Sequence, residues 1–141
     1  MEKIIVDKDV EVAYVQATTF PDGIMAAFNE LYRRVGREGR EFMAISRPEN
    51  GQIVYRAAVV VAPGVPDDMP RWTVRKGVYI SEMVYDFMKA PQQIGMTYRK
   101  LLDSPGIDPQ GYCLERYPNE QDVQCMVLLK ASEESGEGSL A

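Results

Sequence analysis

FMAISRPENGQIVYRAAVVVA (42–62) and YCLERYPNEQDVQCMVLLKA (112–131) carry one pattern twice, and laying one on the other decides the fold. With a single gap in the turn, Pro48 falls on Pro118, Val54 on Val123 and Ala62 on Ala131. Each stretch holds two runs rich in β-branched and aromatic residues around a cluster of turn formers, Pro48-Glu49-Asn50-Gly51 in one and Pro118-Asn119-Glu120 in the other. Each therefore reads as a β-hairpin. Few residues are identical; what repeats is the order of elements.

Working outward, VEVAYVQAT (10–18) has the composition of a strand. After it, Ile24, Phe28, Leu31 and Val35 fall at i, i+4, i+7 and i+11, an apolar helical stripe with Arg33, Arg34 and Arg37 away from it. Asp22 is the expected cap and Gly36 or Gly39 the stop. The second half repeats the plan. RWTVRKGVYISEMVYDF (71–87) reads as one long strand bent at Gly77, and a helix runs from about Pro91 to Asp103, with Ile94, Tyr98 and Leu101 on one stripe. The three prolines and two aspartates of PGVPDDMP (63–70) predict an exposed linker. The expectation is a single α+β domain over 1–131 made of two βαββ half-repeats, about 9–62 and 71–131, related by a pseudo-twofold axis. Their strands form a largely antiparallel sheet with two helices. Residues 132–141, SEESGEGSLA, read as a disordered acidic tail.

Composition removes many functions. The chain has 141 residues, 45% hydrophobic and 26% charged, the balance of a soluble globular protein. Its 16 Lys+Arg against 21 Asp+Glu leave a net charge of −5, which argues against direct nucleic-acid binding. There is no histidine, so Ser-His-Asp and Cys-His catalysis and His-ligated zinc or haem are excluded together. Two cysteines, Cys113 and Cys125, with no CxxC spacing, are expected to be thiols in a reducing cytoplasm. No cofactor is expected, because no Gly-rich phosphate loop or metal-ligand spacing occurs. The charged N-terminal residues do not read as a signal peptide and no 18-residue apolar stretch occurs, so a membrane location is not expected.

The closing strand of each repeated hairpin, 53–62 in the first half and 122–131 in the second, is apolar on both faces in its middle. In 53–62 the two sets are Ile53, Tyr55, Ala57, Val59, Val61 and Val54, Arg56, Ala58, Val60, Ala62. With helices on one face, the other face should be polar if it met only water. The helix-free face is thus expected to shelter a ligand, a partner subunit or the other half-sheet. Glu115, alternating with Cys113 and Tyr117, is the acid that the pattern places among apolar neighbours; a three-residue turn at 118–120 would set it opposite Val123, and Cys113 opposite Cys125. Either it is desolvated there and pairs with a bound cation or acts as a general base, or it lies at a rim paired with Arg56 or Arg116. Glu82 is the second acid on a mostly apolar strand side. Tyr14, Tyr55, Trp72, Tyr79 and Tyr117 all lie on strands, where their rings serve either core packing or the holding of a cation.

The element order, strand, helix, hairpin, twice over, together with Glu115, Tyr117, Pro118-Asn119-Glu120, Val127-Leu128-Leu129-Lys130 and Arg75-Lys76-Gly77-Val78-Tyr79, resembles the GyrI-like family. These are the effector-binding domains of bacterial AraC- and MerR-type transcription activators. The resemblance implies a central cleft on the pseudo-twofold axis, lined by aromatics, that takes flat hydrophobic and often cationic molecules beside a buried carboxylate. The ligand-binding residues it points to are Glu115, Tyr117, Tyr14, Tyr55, Trp72 and Tyr79. No helix-turn-helix segment is present, so the expected role is a free-standing sensor or multidrug-binding protein, a monomer or homodimer. Two other readings stay open: a cofactor-free hydrolase of reactive small molecules using Glu115 and Glu82, and a protein-binding inhibitor.

Overall fold

The computed structural model describes residues 1–130. Ala131 and the expected tail at 132–141 lie outside them. In chain order the elements are β1 (Glu2–Val6), β2 (Val10–Gln16), α1 (Ile24–Val35), β3 (Phe42–Glu49), β4 (Gln52–Val60), β5 (Arg71–Val74), β6 (Gly77–Val84), a 3-10 turn (Phe87–Lys89), α2 (Gln92–Leu102), β7 (Cys113–Arg116) and β8 (Val123–Leu128). The fold is α+β, with antiparallel pairing between neighbouring strands within each unit. No helix among the described residues is long and apolar enough to cross a membrane.

The described residues divide into two compact units, Asp9–Val74 and a second made of Met1–Lys8 with residues 75–130. In the first, the strands pair in the order β3, β4, β2, β5. In the second the order is β7, β8, β6, β1. Each is a hairpin, then a central strand, then an outer strand, so the repeated plan is present. The outer strands differ from expectation. EKIIV (2–6), which the sequence pattern did not mark, is strand β1 and pairs with β6. The single strand expected over 71–87 is two: β5 pairs with β2 in the first unit, β6 pairs with β1 and β8 in the second, and the break falls at Arg75-Lys76. The repeat is therefore strand, strand, helix, strand, strand, and each unit takes its outer strand from the leading strand of the other repeat.

Local chemistry explains the remaining differences. The first hairpin turns on Asn50 (φ 53°) and Gly51 (φ 81°) alone, a tight two-residue turn whose left-handed angles suit Asn and Gly, while Pro48 and Glu49 belong to β3. Asp22 does not cap α1; Gly23 does, with no side-chain bond. A Cβ at Gly23 would lie 2.6 Å from the Thr19 carbonyl oxygen, so the close approach of that turn selects glycine there. The linker at 63–70 is not wholly exposed, because Val65 and Met69 are buried and Asp68 accepts from Arg34 of α1 at 3.0 Å. In the second hairpin the connection is longer than three residues, so Glu115 faces Cys125, not Val123, and Cys113 faces Val127, not Cys125. The shift is two residues, which preserves the face each side chain uses.

In the first unit α1 lays Ala27, Phe28, Leu31 and Val35 on the face of Tyr55, Ala57 and Val59. In the second, Tyr98 and Leu101 of α2 pack with Val84, Val123, Cys125 and Val127. Burying a side chain such as Leu31 or Leu101 completely stabilises a fold by about 1.5–3 kcal/mol.

Candidate functional site

Three strands of the second unit bring Glu82, Cys125 and Glu115 into one cross-strand row. Partners directly opposite project to the same face, here the face that α2 packs against. The rows beside it are Ile80, Val127 and Cys113 on one side and Val84 and Val123 on the other. Glu115 is 8% exposed in this apolar, thiol-bearing setting. Tyr117 donates its hydroxyl proton to Glu115 Oε1 at 2.5 Å, and its ring lies 6.1 Å from that of Phe87. Tyr98 of α2 donates to the Leu114 carbonyl at 2.5 Å, which pins the helix across the row at the strand carrying Glu115.

The field of the carboxylate reaches both thiols. Burial, and after it the charge of Glu115, pushes Cys113 and Cys125 up to about 12. Both cysteines are free, as expected of the sequence. At neutral pH they are protonated, weakly polar walls and poor nucleophiles. Glu82, at the other end of the row, is ion-paired: Lys100 Nζ reaches its two oxygens at 2.9 and 3.1 Å and holds its carboxyl below the usual range. A carboxylate so neutralised is a weak base.

The aromatic candidates are distributed over different surfaces. Tyr55 is 3% exposed in the core beneath α1, stacked with Phe20 at 5.8 Å and edge-on to Phe28 at 6.4 Å. Tyr14 and Trp72 share the helix-free face of the first unit with Arg56 and Arg47. The Arg56 guanidinium sits 5.2 Å from the Tyr14 ring and 4.7 Å from Trp72, and Arg47 sits 4.6 Å from Trp72. Those rings already face the protein's own cations. Glu49, which the sequence did not single out, accepts from Arg56 Nη1 and Arg47 Nε at 2.9 Å each, and these bonds draw its carboxyl down to about 2. Arg56 is thus the partner of Glu49, whereas the sequence had offered it to Glu115.

Tyr79 is completely buried on the face opposite Glu115. The Arg75 N–H donates to Tyr112 Oη at 2.8 Å, the two hydroxyls bond at 2.6 Å, and Tyr79 donates to the Arg75 carbonyl at 2.7 Å. This closed ring satisfies the backbone at the break between β5 and β6. Tyr112 had no signal of its own beyond membership of a strand. The structure therefore brings together Glu115 and Tyr117, and Tyr14 with Trp72; it assigns Tyr55 and Tyr79 to interior packing.

Against known proteins, no family model matches the sequence and no curated protein matches it. Solved structures do match in fold. The integron cassette protein VCH_CASS2 from the mobile metagenome of Vibrio cholerae superposes with a TM-score of 0.67 at 13% identity, over 92% of this chain and 95% of that one. SAV2435, solved bound to tetraphenylphosphonium, gives 0.64 at 11% identity over 95% and 97%. A Staphylococcus aureus MU50 protein assigned provisionally to bacterial transcription regulation gives 0.61 at 10% identity over 93% and 99%. The fold is thus one found in a protein with a small molecule bound and in a transcription-regulator-like protein. At these identities the likeness concerns the fold.

Proposed function

We propose that this chain is a small-molecule-binding protein of the GyrI-like effector-binding type, and that it takes a hydrophobic cation whose charge is met by Glu115. The observation that carries the reading is the placement of that carboxylate. It lies 92% removed from solvent among Cys113, Cys125, Tyr117 and aliphatic side chains, and its charge is felt by both thiols. A permanent cation without hydrogen-bond donors has little to lose on leaving water and gains Coulomb attraction in such a low-dielectric setting. The flat, apolar remainder of such a molecule gains about 25 cal/mol for each Å² withdrawn from water. Support of a second kind comes from SAV2435, whose bound tetraphenylphosphonium is a lipophilic cation.

The test is a calorimetric titration of tetraphenylphosphonium into the wild type and Glu115→Gln. The substitution keeps size and removes charge, so affinity falls at least about tenfold if a charge-assisted contact is lost. Equal affinity in the two proteins removes the carboxylate from the site, and no heat from the wild type at millimolar probe refutes the reading.

A further inference from the structure

A different place in the molecule has the makings of a second site. On its β3 side, β4 is paired along its length, out to Gln52 opposite Glu49. On its β2 side, pairing stops sooner: the register ends at Gln16 opposite Arg56, and the last backbone bond runs from Ala17 N to the Tyr55 carbonyl. Backbone groups of a strand turn to alternate sides, so Tyr55, Ala57 and Val59 address β2, and the N–H and C=O of Ile53 point the same way with no strand of the described residues beyond them. Gln52, Ile53 and Val54 are a short open edge in the interior of a sheet order.

Beside this edge the chain leaving β2 turns away and borders a half-open cleft of about 460 Å³, lined by Gln16, Ala17, Thr18, Thr19, Phe20, Gln52, Ile53 and Val54. That volume is in the range of sites for small molecules and short peptides. Two apolar walls are half open, Phe20 at 45% and Ile53 at 43% exposure, and Phe20 is backed by its stack on Tyr55. The polar lining is two primary amides and two hydroxyls, and no lining residue carries a charge.

We propose that this cavity binds a short, uncharged, extended peptide segment that adds itself as a strand to the Gln52–Val54 edge. The unfilled position is that of a backbone, and a peptide is the ligand that presents N–H and C=O at strand spacing. Three residues of edge span about 10 Å, matching a segment of three or four residues. The uncharged lining selects apolar and hydroxyl side chains, with one apolar side chain between Phe20 and Ile53, and the amides of Gln16 and Gln52 reaching the flanking peptide groups. The site shares no residue with the Glu115 row and does not depend on it.

The experiment is an NMR titration of the ¹⁵N-labelled chain with the blocked peptide acetyl-Thr-Val-Thr-Val-amide. Saturable shifts confined to 16–20 and 52–54, with a downfield move and slowed exchange of the Ile53 amide, are expected. The same peptide N-methylated at its internal amides has the same side chains and no edge-pairing donors, and is expected to leave these signals unmoved. Ile53→Pro removes the edge N–H while sparing the bonds to β3, and should weaken binding about tenfold. The proposal is overturned by an absence of shifts at millimolar peptide, by equal shifts with the N-methylated form, or by equal shifts with maltose, which would reassign the cavity to a polyhydroxylated ligand.

Discussion

At the scale of single residues, Glu115 and Tyr112 repay comparison, because one is an acid whose charge is felt by its neighbours and the other a hydroxyl consumed by the backbone. Replacing Glu115 with Gln removes the second cause of the raised thiol pKa values and leaves the first, burial. Both thiols should therefore titrate below about 12 yet above the ordinary thiol value, as read from thiolate absorbance; an unchanged titration would mean that the carboxylate is not felt there. Tyr112→Phe strands the Arg75 N–H and should cost about 1–3 kcal/mol in urea denaturation. Tyr79→Phe breaks the same ring from its other side, so the double variant should cost clearly less than the sum of the singles. Additive losses would show that the three groups act separately. Nothing in the sequence distinguished these two tyrosines from a ligand-facing pair, since both readings ask for an aromatic ring on a strand.

At the scale of elements, the hairpin β3–β4 ends in the Arg47–Glu49–Arg56 cluster, and its charge state makes that hairpin sensitive to acid. Glu49 titrates near 2 when folded, below its ordinary value of 4.5, so the folded state binds the proton less readily than the unfolded chain. Its contribution is complete above about 4.5 and is lost as the pH falls toward 2. Thermal scans across that window should show a fall in melting temperature that Glu49→Gln flattens; a wild type and variant with parallel curves would contradict the assignment. The hairpin itself was readable from Asn50-Gly51 and the β-rich runs around it, as were both helices from their apolar stripes. What escaped was whatever short sequence signals do not encode. The connection from β7 to β8 is held by Asn119, whose side-chain oxygen accepts from the backbone N–H of Gln121 and Asp122, and that loop adds the residues that move the register by two. Because the move is even, Glu115 kept its face, and the acid singled out from alternation is still the buried one. Helix capping failed for the opposite reason: Asp22 has the right chemistry, and a backbone approach at Gly23 outweighs it.

For the whole molecule, the exchange of leading strands is the feature that the repeat pattern concealed. Cutting at the 63–70 linker, the boundary suggested by composition, separates each half from its outer strand: residues 1–70 keep β1 and lack β5, and the remainder keeps β5 and lacks β1. The two pieces, produced together with different affinity tags, should therefore co-purify, and each alone should show weak amide protection in hydrogen exchange. Independent elution of two well-protected fragments would count against the exchanged arrangement. The uninterrupted segment Asp9–Val74, by contrast, contains every strand of its own unit and should retain its α1 signal in circular dichroism better than a segment ending at Pro70. The same exchange orders events during synthesis. Residues 2–6 leave the ribosome before the other seven described strands, yet their partner, Gly77–Val84, emerges more than seventy residues later, after the first unit has received everything it needs. At about 5–20 residues per second, β1 spends several seconds as an unpartnered extended segment beside a nearly finished neighbour. The adjacent charges Glu2 and Lys3 at one end of β1 and its length of five residues keep that waiting strand from pairing with another nascent chain, which is the demand that the exchanged strand order makes on this short segment.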